Sequence, residues 1–134
     1  MSEIAQFVAH GAERITPLTL ESLLRQLPLL KAEFAQIEAP RFPHLIDQLS
    51  FLTEFVEDFA EGADKTIPYT AVAEATFALI YAHRANDLIP DGLPGLGRAD
   101  DSSVVRAVLI RHELSFQRYA DARGLSWKKI TDKP

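Results

Sequence analysis

The chain has 134 residues, of which 47 % are hydrophobic and 25 % charged, with no cysteine and a net charge of −5. That size gives one domain with a core of its own, and the balance of residues excludes a disordered or collagen-like chain. The absence of cysteine excludes a disulfide frame, a thiolate metal site and a cysteine nucleophile.

Charge is unevenly spread. Residues 1–101 carry seven Lys or Arg against sixteen Asp or Glu, whereas residues 102–134 carry seven against three. The basic third holds Arg106, Arg111, Arg118, Arg123, Lys128, Lys129 and Lys133. No stacking aromatics interleave with these residues and no recognition motif surrounds them, so a solvated helix face and tail are expected rather than a specific nucleic-acid surface. The first residues, Met1 to Gln6, lack a basic stretch followed by an apolar one, so no signal peptide is expected. The most apolar run, Ala71 to Ala82, contains Glu74 and falls short of the ~20 residues of a membrane-spanning helix. A cytoplasmic location follows as the expectation, and the lack of cysteine fits it.

In chain order, Ile4, Val8, Gly11 and Ile15, with Phe7 beside them, fall at helical spacing and predict a short amphipathic helix. Thr16-Pro17 is a start signal, an N-cap followed by proline at the first helical position. The stripe Leu20, Leu23, Leu27, Leu30, Phe34 and Ile37 predicts the next helix, with a kink or break near Gln26–Pro28 because proline removes a donor. Ala39 to Pro43 connects to a third stripe, Leu45, Leu49, Leu52, Val56 and Phe59, widened by Ile46, Phe51 and Phe55. Phe42, Phe51, Phe55 and Phe59 read as core rather than a cofactor box. Gly62 ends that helix and Pro68 opens the next, with rows Val72, Thr76, Leu79, His83 and Ala73, Phe77, Ile80, and Asn86 as a C-terminal cap. After a long loop, Val105, Leu109, His112, Phe116 and Tyr119 stripe a last helix that Gly124 ends, leaving a tail over 125–134 with Trp127 tucked back. No strand pattern competes.

The loop itself, Asp87 to Asp101, holds four of the nineteen acidic residues, three of the six glycines and two of the eight prolines. Connections within helical bundles are usually much shorter. Tyr81, then Asp87-Leu88-Ile89-Pro90-Asp91, Pro94-Gly95-Leu96-Gly97 and Asp100-Asp101 follow one another without a gap. In these residues the chain resembles the YkvA-like family, a bacterial domain of unknown function; the motif spans about 70–110 and its most specific part Tyr81 to Val108. Ala85-Asn86 and Ser102-Ser103 make this corner more polar than is usual there. The resemblance implies the fold of the corner and supplies no activity.

Two chemistries compete for the cluster His83, Asp87, Asp91, Asp100 and Asp101. Aspartates beside proline and glycine close turns and cap helices through backbone N–H groups. Alternatively the four carboxylates converge on Mg²⁺ or Ca²⁺, and His83 moves the choice toward Zn²⁺ or Mn²⁺. The spacing is not that of an EF-hand, and Gly92, Gly95 and Gly97 follow a helix and sit among acids, which argues against a phosphate cradle. His83 and His112 read as partly buried residues bonded to a carbonyl or carboxylate, with a His–Asp acid–base pair as the alternative. Ser102 and Ser103 lack the surroundings of a nucleophile. Arg84 and Arg98 flank the acids and are expected to neutralise them.

The expectation is therefore a single all-α domain over 1–134, a compact bundle of four to five helices whose last two form a hairpin through the Pro/Gly/Asp-rich corner. Its expected function is a non-enzymatic interaction or scaffold domain with a protein partner of unknown identity and no cofactor. A divalent-metal module or metal-dependent enzyme using Asp87–Asp101 is the first alternative. A peripheral-membrane or homo-oligomeric module is the second.

Overall fold

The computed structural model describes residues 3–36, 44–62, 66–88 and 99–131, with backbone alone at 84–88, 99–101, 129 and 131. The described residues form an all-helical bundle: α1 (Glu3–Glu13), α2 (Pro17–Ala35), α3 (Leu45–Glu61), α4 (Tyr69–Leu88), α5 (Ala99–Arg111), α6 (Glu113–Ala122) and α7 (Trp127–Thr131). No helix among them is long and apolar enough to cross a membrane.

The boundaries follow local chemistry. Thr16 caps α2 by accepting the Thr19 N–H at 3.2 Å, and Pro17 fills the first turn, where its missing donor costs nothing. Gly62 and Gly124 end α3 and α6 with φ of 73° and 70°, a left-handed conformation that glycine adopts without strain. α2 runs unbroken through Pro28, against the expected break. Pro28 is exposed, so water can serve the carbonyl that its missing N–H leaves unpaired. Asn86 does not cap α4, which continues to Leu88.

The stripes pack as their spacing predicts. Leu23, Leu27, Leu30 and Phe34 of α2 and Leu45, Leu49, Leu52 and Val56 of α3 are buried in one core, with Phe59 half-buried at its edge. α4 packs against α1, α2, α3 and α5. A helix enclosed on so many sides cannot be amphipathic, and α4 is buried without interruption from Ala71 to Thr76. Its alanines let neighbours approach. On one side the backbone of α1 comes so close that a Cβ on Gly11 would stand 2.2 Å from the Phe77 ring. The Tyr69 hydroxyl donates to the Ile15 carbonyl at 3.4 Å and ties the α1–α2 turn to the start of α4.

The expected last helix is two, α5 and α6, separated at His112 (φ −123°, ψ 36°). The expected tail contains a further short helix, α7. Trp127 packs on Phe51 and Phe116, with ring centroids 6.1 and 6.5 Å apart. Gln48, fully buried in α3, donates to the Ile130 carbonyl at 2.9 Å and anchors α7 to the core.

Candidate functional site

α4 carries one acid in its enclosed stretch. Glu74 is only 4 % exposed, and a carboxylate that deep requires cationic partners. It finds two. Arg111, the last residue of α5, donates from Nε to Oε1 at 2.7 Å and from Nη2 to Oε2 at 3.2 Å, a two-pronged clamp. His112 places Nε2 2.8 Å from Oε2.

Adjacent residues on a straight helix point about 100° apart and do not face one target. Arg111 and His112 reach the same carboxylate because the helix opens between them. The α5–α6 break and the Glu74 cluster are one feature.

Burial by itself would raise the Glu74 carboxyl. The hydrogen bonds and charges of His112 and Arg111 together outweigh burial and hold it below its ordinary value. The Glu74 hydrogen bond in turn raises the Arg111 guanidinium, against its own desolvation. A carboxylate so held is a poor proton acceptor and a good tie between helices.

A second cluster joins α3 to α6. The Tyr119 hydroxyl and Arg123 Nη2 both donate to Asp58 Oδ2, and the Arg123 guanidinium lies 5.5 Å from the Tyr119 ring centroid. Around it Phe51, Phe55, Phe116 and Tyr119 form an aromatic core, with Phe55 and Phe116 centroids 4.6 Å apart. A third pair joins α2 to α4, where His83 Nδ1 lies 2.9 Å from Glu33 Oε2.

The residues expected to form the acidic site fare differently. His83 is half-buried and paired with a carboxylate, as its place on an apolar row predicts, and His112 is too. Their carboxylates come from glutamates on other helices. The backbone places Asp87 in the last turn of α4 and Asp100 and Asp101 in the first turn of α5. Asp91 and the side chains of Asp87, Asp100 and Asp101 lie outside the described residues, as do Arg98 and the side chain of Arg84. Among the described residues no group of three or more acidic or histidine side chains is placed to hold a metal ion. Ser102 is buried.

Glu74 stands out from sequence only as the single charge in an apolar run. That signal demands a partner but does not name one.

One open surface feature remains. Two concavities of about 490 and 480 Å³ lie over α1, α2 and α4 and meet at Thr19 and Ile80. Comparison with known protein families, with curated proteins and with solved structures finds no match to the chain.

Proposed function

We propose that this chain is a non-enzymatic interaction or scaffold domain of the YkvA-like kind. The observation that carries the reading is the state of Glu74. The most deeply buried acid of the described residues is neutralised by Arg111 and His112 and holds three helices together. Asp58 and Glu33 are engaged in the same way in the α3–α6 and α2–α4 pairs. The polar chemistry of the interior thus serves architecture, and the groove over α1, α2 and α4 is left to meet a ligand. The resemblance over Tyr81 to Val108 supports the same reading of the corner as architecture.

Thermal melting tests this. Active-site groups are held at a cost in stability, so removing them commonly stabilises an enzyme. Structural ties behave oppositely. Glu74→Gln, Arg111→Gln and Asp58→Asn should each lower the melting temperature. A rise on replacing Glu74 or Arg111 would contradict the proposal and point to a catalytic cluster.

A further inference from the structure

The two concavities over α1, α2 and α4 form one groove, since Thr19 and Ile80 line both. On α2 it extends from Leu18 to Leu30, twelve residues and therefore about 18 Å along the helix axis. Each concavity is of the size that small-molecule sites have.

Its floor is apolar. Phe77 and Ile80 of α4 lie against Leu23 and Leu30 of α2, and Gly11 lets the Phe77 ring press on the α1 backbone. Phe7, 45 % exposed, closes one side with its ring 5.4 Å from Phe77 and 5.6 Å from Tyr81. Aromatic rings left partly open beside a trough offer a binding surface rather than finished core.

The charges around the groove are unequal at its two ends. At the far end His83 is matched by Glu33 at 2.9 Å. At the α1 end His10 lies 3.8 Å from Glu13, while Arg14, which also lines the groove, has no ion-pair partner among the described residues. A long apolar trough with one unmatched cation at one end has the complement of a single-chain amphiphile with an anionic head.

We infer that this groove binds a fatty-acid-like monocarboxylate, its chain lying along Phe77, Ile80, Leu23 and Leu30 and its carboxylate on Arg14. The chain displaces water from apolar surface, which supplies affinity, and the guanidinium fixes direction through a two-pronged hydrogen bond. This names a ligand class for the interaction domain proposed above and rests on that reading. Melting of the Glu74 and Arg111 variants tests the reading without the ligand, so the two fail separately.

Isothermal titration of the full chain with dodecanoate, dodecanol and dodecyltrimethylammonium, each below its micelle concentration, tests the inference. Dodecanoate should bind saturably at one site, with dodecanol about tenfold weaker or more because the charged hydrogen bond is missing. Arg14→Gln should reduce dodecanoate to the level of dodecanol and leave dodecanol unchanged. Ser22→Trp, at an exposed position that lines the groove, should abolish both. Arg14 and Ser22 are both exposed, and unchanged melting confirms that the variants fold.

Absence of saturable binding overturns the inference. So does equal affinity for carboxylate, alcohol and ammonium, or indifference to Arg14→Gln. A dimer that Ser22→Trp dissolves would overturn it too, by assigning the groove to a second copy of the chain.

Discussion

Arg111 donates its Nε proton to Glu74 Oε1 at 2.7 Å, joining the last residue of α5 to the second turn of α4. Because His112 shares the same carboxylate, this contact also sets where α5 ends and α6 begins. The cluster therefore acts on backbone direction as well as on charge.

It should also make stability depend on acid. The Glu74 carboxyl is held below its ordinary value of 4.5, so its contribution is fully present above that value and is lost as pH falls through the lowered one. Unfolding free energy measured between pH 6 and about pH 2 should fall on the acid side in the native chain. In Glu74→Gln that fall should be shallower. Parallel curves would mean that Glu74 titrates alike in the folded and unfolded chain.

Gly11→Ala should lower stability although alanine is the better helix former by about 1 kcal/mol. The added Cβ would meet the Phe77 ring at 2.2 Å, and that ring is held between Phe7 and Tyr81. Overpacking of this kind costs about 1–3 kcal/mol. Urea unfolding of Gly11→Ala, alone and with Phe77→Ala, checks it: the second change should relieve part of the first.

Leu52 is fully buried at the centre of the α3 row. Leu52→Ala should cost roughly 2–5 kcal/mol, through lost transfer energy and the cavity left behind. A loss below ~0.5 kcal/mol would place that face in solvent.

At the acidic corner the expected roles are turn closure and helix-end stabilisation. Asp100 and Asp101 fall in the first turn of α5, where a carboxylate gains about 0.3–1 kcal/mol from the helix dipole. Asp101→Asn should be mild and Asp101→Ala worse by up to about 1 kcal/mol. Titration with Mg²⁺, Ca²⁺ or Mn²⁺ should leave the melting temperature unchanged. A saturable rise that Asp87→Asn or Asp101→Asn removes would instead establish a metal site by mass action.

Much of the fold was legible because helices must bury a stripe. The rows through Leu23, Leu49 and Phe116 are core where their spacing placed them, and Thr16, Gly62 and Gly124 mark ends by their own backbone chemistry. The break at His112 was not legible. Val105, Leu109, His112, Phe116 and Tyr119 keep helical spacing straight through it, and neither proline nor glycine marks the spot. Its cause is Glu74, thirty-eight positions away in the chain on another helix.

Pro28 misled for the opposite reason, since a local rule yielded to an exposed position on a helix well packed along its other face. The Arg14 groove carries no sequence signal at all, because it is made by three helices meeting.

The central claim, that the buried charges are ties between helices, is tested most directly by a double-mutant cycle at Glu74 and Arg111. Unfolding free energies are needed for the native chain, Glu74→Gln, Arg111→Met and the pair. Removing one partner of a buried ion pair costs about 3–5 kcal/mol because the other is left uncompensated. The account predicts that Arg111→Met alone is strongly destabilising, and that adding Glu74→Gln recovers part of the loss, with a coupling of about 1–3 kcal/mol. Two small losses that simply add would contradict it.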